Sequence, residues 1–475
     1  MKNNKQNNYD YIVVGGGPAG AFFAYEKIKN SPEARILILE RGKPVECRKC
    51  LEPQLGKCVK CKPFCNITNG FSGAGAFSDG KLSLFNQDDE EFYVGGNLHK
   101  YIGVNETKKV ISYTDQIYLK FGATTELEGV SYPDRVRKIQ KKASSVGLEL
   151  VNIPIRHLGT DKAHILYKKI EDCLIEAGVT ICFENEVNDL LIEGGKIAGV
   201  KYRANSAGEE EIAYAPKVIL AVGRTGADWL EEMCKKHAIA SSPAVLDVGI
   251  RYELPNPTME EINECFYEGK FFGKPNPFND KVRTFCQNPG GYVSAEVYKN
   301  GLILANGHSK KDDKSEYTNL ALLVSIELPN VEEPMEYSRN IGRSLNALAQ
   351  GNVMVQRLGD IHEGHRTWPA DLENNSVKPT LKSARPGDLS LGMPHRILAN
   401  ILGFIDMMDK VVPGFSHPDN LLYGPELKFY SNKVDLSDNF ETNIEGLYAI
   451  GDGCGLTRGL MQASASGVEL AWNID

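Results

Sequence analysis

Three observations predict an α/β fold in which a doubly wound parallel sheet is joined to a second, largely antiparallel region. In segment 9–41 an apolar run, a glycine-rich turn, a helical composition and a second apolar run follow without a break. The C-terminal segment 441–475 again indicates strand, glycine turn and helix. The stretch 240–400 is richer in Pro, Asn and aromatic residues, with alternating strand-like runs. We therefore expect a discontinuous first domain, interrupted by a second one.

The glycine turn at the N-terminus has the G-x-G-x-x-G spacing, placed between a strand and a helix. The first glycine permits the tight turn, the second lets the backbone approach a pyrophosphate, and the third lets the helix pack on the strand. Glu40 follows about 20 residues later, where an acid can accept hydrogen bonds from an adenosine ribose. The segment therefore predicts a Rossmann-like domain that binds a dinucleotide. Its predicted contacts are Gly15, Gly17, Pro18, Ala19, Gly20, Glu40 and Arg41.

Composition excludes several classes of protein. The 475 residues have a formal net charge of −8 and no basic stripe, so the electrostatic footprint of a nucleic-acid-binding protein is missing. No apolar run approaches the roughly 18 residues of a membrane span. The polar start, MKNNKQNN, is unlike a signal peptide, and eleven cysteines without an export signal favour a reducing compartment. We expect a cytoplasmic protein that binds neither nucleic acid nor membrane.

Changes in character along the chain predict five segments. Charged, amphipathic runs between residues 97 and 147 indicate a helical insertion on the nucleotide domain. A strand is expected over 148–155, and Asp161 is the expected N-cap of a helix over 162–177. The predicted segments are 1–96 (nucleotide domain, first part), 97–147 (insertion), 148–239 (nucleotide domain, second part), 240–425 (substrate domain) and 426–475 (nucleotide domain, C-terminal part).

Several stretches resemble known flavoproteins. The stretch GLYAIGDGCGLTRGLMQASASG resembles the C-terminal flavin motif of the glutathione-reductase-like FAD flavoproteins, and VILAVGRTG resembles their middle motif. More narrowly, the chain resembles an uncharacterised bacterial and archaeal family of FAD-dependent dehydrogenases. That likeness lies in GAGAFSDGKLSL (73–84), PIRHLGTD (154–161), the span from QRLGD to KPT (356–380) and LLYGPELKFYS (421–431). These motifs cover most of the chain and are specific for the cofactor rather than for the substrate.

The resemblance implies how FAD is held. Asp452 would hydrogen-bond the ribityl chain or the pyrophosphate. The helix that starts near Gly459 would aim the backbone N–H groups of Leu460 and Met461 at the flavin pyrimidine edge, where reduced flavin carries negative charge. The backbone of Val187 would contact adenine, and the 73–84 loop would lie along the pyrophosphate and the flavin face. The remaining expected FAD contacts are Ser78, Gly80, Lys81, Gly223 and Gly451.

Two separated FAD segments imply redox chemistry, since flavin itself transfers hydride or electrons. We expect an FAD-dependent oxidoreductase that acts on a small molecule. The sequence has no second G-x-G-x-x-G unit after a strand. The flavin is therefore reduced by NAD(P)H bound without its own Rossmann domain, by another donor such as a protein, or by the substrate. Two alternatives are a flavoprotein that modifies RNA and a redox- or nucleotide-sensing binding protein.

A cysteine cluster follows the first Rossmann unit with the spacing C-x2-C-x7-C-x2-C-x3-C. Paired C-x2-C knuckles suit tetrahedral thiolate coordination, although the x7 spacer is shorter than in zinc ribbons. Zinc, a [4Fe-4S] cluster, a redox-active thiol pair and ordinary reduced cysteines are the alternatives. The candidate metal ligands are Cys47, Cys50, Cys58 and Cys61, with Cys65 as a substitute.

Candidate groups on the substrate side lie in three places. Lys81 is the cation of the 73–84 loop, and Arg156 and His157 precede a predicted helix. His362 opens the HEGHR stretch, which also holds His365 and Arg366. Such groups can donate a proton or bind a carboxylate. The alternative is a purely structural role, in which they donate hydrogen bonds to backbone carbonyls at loop ends.

Overall fold

The computed structural model describes residues 8–50, 61–78, 80–85, 95–204, 208–242, 246–297, 301–308, 313–326, 328, 331, 334–428 and 433–475, and within these ranges not the side chains of residues 160, 161 and 334. The chain divides into two compact units. Unit 1 comprises residues 1–127, 154–244 and 431–475. Unit 2 comprises residues 128–153 and 245–430.

Unit 1 is an α/β unit. Its helices are α1 (Pro18–Asn30), α2 (Leu98–Lys120), α4 (Thr160–Glu176), α5 (Ala227–His237) and α11 (Leu460–Asn473). Its strands are β1 (Tyr11–Val14), β2 (Ile36–Glu40), β3 (Lys81–Ser83), β5 (Ile155–His157), β6 (Thr180–Phe183), β7 (Asn185–Glu193), β8 (Lys196–Ala204), β9 (Glu210–Tyr214), β10 (Lys217–Leu220), β11 (Ser241–Ser242), β21 (Lys433–Val434) and β22 (Leu447–Ala449).

Among the described residues, the central sheet of unit 1 has the order β22-β10-β1-β2-β6, and its neighbours pair in parallel. Every residue of β1 and β2 is buried, which fits parallel strands covered on both faces. In this sheet β2 and β6 lie on one side of β1, whereas β10 and β22 lie on its other side. Ligands of open α/β sheets bind beside the carboxyl ends of the strands at such a reversal of strand order. The predicted fold class is confirmed.

Unit 2 contains the remaining elements. Its helices are α3 (Pro133–Ser145), α6 (Glu260–Cys265), α7 (Pro334–Leu348), α8 (Leu358–His362), α9 (Pro369–Asn374) and α10 (His395–Asp409). Its strands are β4 (Leu148–Val151), β12 (Leu246–Pro255), β13 (Lys270–Gly273), β14 (Val282–Asn288), β15 (Tyr292–Val297), β16 (Ile303–His308), β17 (Tyr317–Ile326), β18 (Met354–Arg357), β19 (Arg385–Pro386) and β20 (Leu421–Lys428).

The main sheet of unit 2 has the order β19-β18-β20-β12-β17-β14-β13-β4 among the described residues, and it is antiparallel except between β18 and β19. Successive side chains of a strand point to opposite faces. On β12 the even-numbered residues from Leu246 to Leu254 are apolar, and from Val248 onward they join the larger core of the unit. The odd-numbered residues are Asp247, Gly249, Arg251 and Glu253, so the opposite face of the sheet is polar and yet buried.

Several predicted boundaries differ from the structure. The predicted insertion 97–147 is divided, because α2 belongs to unit 1 and α3 to unit 2. The strand expected over 148–155 ends at Val151. Helix α4 begins at Thr160 after Gly159, whose φ is +77°, so Asp161 lies inside the first turn and is not the N-cap. Across the described ranges, we find no helix that is both long and apolar enough to span a membrane.

Candidate functional site

The glycines of the N-terminal turn meet different surroundings, as the motif predicts. Gly15 has φ +104°, and a Cβ there would lie 2.5 Å from the carbonyl oxygen of Ala221. A Cβ on Gly20 would overlap the Gly15 carbonyl oxygen and lie 2.8 Å from Val13 Cγ1. At Gly17 the nearest atom would be 4.0 Å away. The first and third glycines are therefore needed by the fold, whereas Gly17 borders open space.

Glycines of three further segments of unit 1 also border open space. A Cβ on Gly223 or Gly459 would meet nothing within 4 Å, and one on Gly73 would lie 3.9 Å from Gly17 Cα. The hydroxyl of Ser72, the residue before Gly73, is fully buried and has no hydrogen-bond partner among the described residues. Since buried hydroxyls nearly always have a partner, this one indicates a bound group. Together these observations fit a cradle for a pyrophosphate.

Glu40 is held more firmly than the motif alone implies. Its Oε2 accepts a hydrogen bond from the backbone N–H of Gly16 at 2.8 Å. Its Oε1 accepts from the N–H groups of Gly42 at 2.8 Å and Gly70 at 3.0 Å. A carboxylate has about four acceptor positions, so roughly one is left for a ribose hydroxyl. Glu40 therefore orders the turn as well as being available to a nucleotide.

We expect Glu40→Ala to lower both FAD retention and the thermal stability of the FAD-free protein. Each of the three buried N–H groups that lose their acceptor costs about 1–3 kcal/mol. The measurements are the melting temperature of FAD-stripped protein and its FAD affinity by equilibrium dialysis. Glu33→Ala, at an exposed position before β2, is the matched control. An unchanged melting temperature of the stripped variant would show that these hydrogen bonds do not order the turn.

The loop that faces the glycine turn is held by Arg48, a residue that no motif singled out. Its guanidinium is buried and donates to the carbonyl oxygens of Asn66 at 2.8 Å and Ile67 at 2.6 Å. It also donates to those of Phe71 at 2.5 Å and Gly73 at 2.6 Å. Burial lowers the pKa of Arg48 to about 10. The N–H of Ser72 in turn donates to the Gly16 carbonyl at 2.7 Å, which joins the loop to the dinucleotide turn.

Arg41, predicted as a cofactor contact, bridges two parts of unit 1. Its Nε donates to Asn69 Oδ1 at 2.8 Å, and its Nη2 donates to the Thr225 carbonyl at 2.9 Å. Ser78 closes the loop by donating to the Gly75 carbonyl at 3.3 Å and accepting from the Gly80 N–H at 3.2 Å. These residues lie near the cradle, but the bonds described here are within the protein.

The C-terminal motif meets the N-terminal one inside unit 1. A Cβ on Gly451 would lie 3.0 Å from Ala19 Cβ, and one on Gly453 would lie 2.6 Å from the Gly223 carbonyl oxygen. A Cβ on Gly467 would overlap the Ala19 carbonyl oxygen, so α11 packs closely on α1. The three segments predicted to hold FAD are thus brought together.

Asp452 lies before the open end of α11. Its carboxylate accepts from Thr457 Oγ1 at 2.8 Å and from the N–H of Gly459 at 3.1 Å, and Arg224 Nε lies 3.9 Å away. Burial raises the pKa of Asp452 above its ordinary value, although Arg224 and these hydrogen bonds oppose the shift. Helix α11 then starts at Leu460, and the first N–H groups of a helix have no partner within it. Met461 and Val187 are buried side chains, so any contact of theirs with FAD is through the backbone.

The structure pairs two of the separated motifs, since β3 and β5 are antiparallel and place Lys81 opposite His157. Arg156 lies on the same strand as His157 but is committed elsewhere. Its Nε and Nη2 donate to the two carboxylate oxygens of Asp115 at 2.7 Å each, and its Nη1 donates to the Thr124 carbonyl. Arg156 is 5% exposed. The guanidinium of Arg156 is thus used inside unit 1, and its catalytic role stays a sequence prediction.

The HEGHR stretch begins at the last residue of α8 and continues as a surface loop of unit 2. His362, His365 and Arg366 are exposed, and His365 Nε2 lies 2.8 Å from Glu363 Oε2. That hydrogen bond raises the pKa of His365. This exposed placement fits the structural role that is the alternative for this stretch.

The cysteine cluster lies only partly within the described residues. Cys47 and Cys65 are exposed free thiols, and Cys50 and Cys61 are half-buried free thiols. Cys58 lies outside the described residues. No three or more His, Cys, Asp or Glu side chains within the described ranges are grouped so as to hold a metal ion. The thiolate site therefore stays a sequence prediction.

Comparison with known proteins supports FAD dependence. Residues 248–428 match the family described as FAD-dependent protein, C-terminal domain-like. An uncharacterized protein from Clostridium beijerinckii is 24% identical over 98% of this chain and 80% of its own length. The family match begins within β12 and ends with β20, so it covers the main sheet of unit 2 apart from β4 and the first two residues of β12.

Solved structures show more distant likenesses. L-Proline dehydrogenase from P. horikoshii is 12% identical, with 98% of this chain and 93% of that chain covered at a TM-score of 0.37. Glycine oxidase from Geobacillus kaustophilus is 11% identical, with 99% and 96% covered at 0.37. A formate oxidase is 10% identical, with 98% and 97% covered at 0.43.

Proposed function

We propose that the protein is an FAD-dependent oxidoreductase that acts on a small molecule. The observation that carries the proposal is the cradle of unit 1, where the open sides of Gly17, Gly73, Gly223 and Gly459 border space that side chains would fill. The buried, unpartnered Ser72 hydroxyl and the match of residues 248–428 to an FAD-dependent family support the same ligand.

Each part of unit 1 has a role towards FAD. The N-terminus of α1 would hold the pyrophosphate through the N–H groups after Gly17, since helix N-termini bind anions. Glu40 would offer its remaining acceptor position to the adenosine ribose. Asp452 would accept a hydrogen bond from the ribityl chain, and the first turn of α11 would stabilise the negative charge that flavin carries when it is reduced. Bound FAD supplies the hydride or electron transfer itself.

The electron partner and the compartment belong to the same proposal. The substrate is a small molecule, and the flavin exchanges electrons with NAD(P)H, with a protein or with that substrate. Zinc or an iron–sulfur cluster at the cysteines is a separate proposal that FAD binding does not require. The location that we propose is the cytoplasm, because eleven cysteines fit a reducing compartment.

The test is the identity of the cofactor. We expect denatured protein to release one equivalent of FAD, separated by chromatography from FMN and NAD standards. The purified protein should show a flavin absorption spectrum that bleaches reversibly on anaerobic reduction with dithionite. Release of FMN or NAD, or failure of the stripped protein to take up FAD, would overturn the proposal.

A further inference from the structure

The polar face of the main sheet in unit 2 carries a buried group of charged residues that we name the Arg251 cluster: Arg251, Asn319, Glu426 and Lys428. The strands β12, β17 and β20 contribute these residues. Arg251 and Glu426 are each 0% exposed. Such complete burial of two charges is costly unless both are paired and hydrogen-bonded.

Three sides of the Arg251 guanidinium are occupied. Its Nε donates to Asn319 Oδ1 at 2.7 Å, and its Nη2 donates to the carbonyl oxygen of Cys286 at 2.6 Å. On β16, a Cβ at Gly307 would overlap Nη2, so the backbone closes directly over the guanidinium. The Nη1 group has no hydrogen-bond partner among the described residues. Arg251 is therefore fixed in position with one donor group unused.

Glu426 has acceptors that are also unused. Arg251 Nη1 lies 3.6 Å from Glu426 Oε1, beyond hydrogen-bond distance. Lys428 Nζ lies 2.9 Å from the same oxygen, but outside hydrogen-bond geometry. Within the described part of the chain, neither carboxylate oxygen of Glu426 accepts a hydrogen bond, and Asn319 Nδ2 donates none. Two cations, Arg251 and Lys428, thus face the single carboxylate of Glu426. Hydrogen-bond donors and acceptors without partners therefore lie together in this cluster.

Neighbouring charged groups on this face are satisfied, which sets the Arg251 cluster apart. Asp247 accepts from Arg283 Nη2 and, at 2.6 Å, from Ser325 Oγ. Glu253 accepts from the Thr380 hydroxyl and from the Tyr423 phenol. A buried ion pair built for structure needs hydrogen bonds to its remaining donors and acceptors, as these two carboxylates have. The Arg251 cluster lacks them and is therefore incomplete without a further group.

We propose that the Arg251 cluster binds a small carboxylate that bears an adjacent amino or hydroxyl group. The anionic oxygen of such a ligand would accept from Arg251 Nη1 and from Lys428, which balances the second cation. Its N–H or O–H would donate to Glu426. A group with only one of these functions leaves either the cations or Glu426 unsatisfied. The inference concerns a ligand site of unit 2, and it goes beyond the proposed function.

One edge of the cluster is partly exposed, at Lys428. The Lys428 side chain is 20% exposed, and its ammonium lies 5.8 Å from the ring centroid of the half-buried Phe285. Cys286, whose carbonyl fixes Arg251, is also half-buried. In this proposal a small ligand enters from the side of Lys428, because β16 covers the opposite side and Arg251, Asn319 and Glu426 are fully buried.

The experiment is calorimetric titration of the purified full-length protein with glycolate, glycine, acetate and methylammonium. We expect glycolate and glycine to bind at least about tenfold more tightly than acetate or methylammonium, since only they satisfy both ends of the cluster. Arg251→Lys and Lys428→Met should each weaken glycolate binding by about tenfold or more. Glu426→Gln should weaken glycine binding more than glycolate binding, because it removes the charge that faces the ammonium.

The controls are Arg396→Lys and Glu336→Gln, exposed ion-paired positions of the same unit, which should bind like the wild type. Because Lys428 is at the partly exposed edge, Lys428→Met tests the site even if Arg251→Lys does not fold. Absence of binding by all four probes, or binding that the cluster variants leave unchanged, would overturn the inference. The FAD content of each sample is read separately from its absorbance. Cluster-dependent binding without FAD would overturn only the proposed function.

Discussion

Replacing Gly17 by alanine should leave the fold intact and weaken FAD binding by about 100-fold or more. The backbone at Gly17 has φ −68° and ψ −179°, which alanine adopts readily, and a Cβ there would meet no protein atom closer than 4.0 Å. The methyl group would instead occupy the space into which the pyrophosphate must come. Exclusion from close backbone contact costs several hydrogen bonds, each about 1.5–3 kcal/mol with an anion.

Gly20→Ala is the matched control, because the same one-carbon change should act there on the fold. A Cβ on Gly20 would overlap the Gly15 carbonyl oxygen, and overpacking of this kind costs about 3 kcal/mol, at the upper end of its usual range. The measurements are circular dichroism, the melting temperature of the stripped proteins and FAD affinity by dialysis. Equal FAD affinity for Gly17→Ala and wild type would place the pyrophosphate elsewhere. A lower melting temperature for stripped Gly17→Ala than for Gly20→Ala would reverse the roles of the two glycines.

Arg48→Met should loosen the loop 66–73 and weaken FAD binding by about 100-fold. One guanidinium donates to four carbonyl groups of this loop, and hydrogen bonds from charged donors contribute about 1.5–3 kcal/mol each. Methionine retains much of the side-chain volume but none of the donors. The loop that borders the cradle would then be ordered only when FAD binds, and this ordering would reduce the affinity.

The measurements for Arg48→Met are FAD affinity and hydrogen exchange of the backbone amides in 66–73. Arg35→Met is the control, because Arg35 is exposed and its side chain pairs with Asp10 at 3.2 Å. If Arg48→Met kept full FAD affinity and unchanged hydrogen exchange, Arg48 would not be the residue that orders loop 66–73. If a metal chelator lowered the FAD content while Arg48→Met had no effect, FAD binding would instead be coupled to a metal at the cysteine cluster.

The roles of Glu40 and Arg156 show where sequence patterns reach their limit. The position of Glu40 after β2 predicts a ribose ligand, and the structure adds three backbone N–H groups that share its carboxylate. Arg156 stands in a motif-like stretch, yet its guanidinium is used by Asp115 and Thr124. A pattern reports the residue type at a position but not the partners that other parts of the chain bring to it.

The resemblance of its motifs to flavoproteins implied FAD, and the residue pattern alone predicted the Rossmann-like turn and the strands around it. These follow from local spacing, because the glycines at 15, 17 and 20 act within one strand–turn–helix unit. The hydrogen bonds of Arg48 to loop 66–73 are visible only in the folded chain, and so is the meeting of Arg251, Asn319 and Glu426 on one sheet face. Their partners lie on distant segments, and a single buried arginine in an apolar strand carries no periodic signal. The register of β12 with β17 and β20 brings them together, and that register depends on packing across the whole sheet.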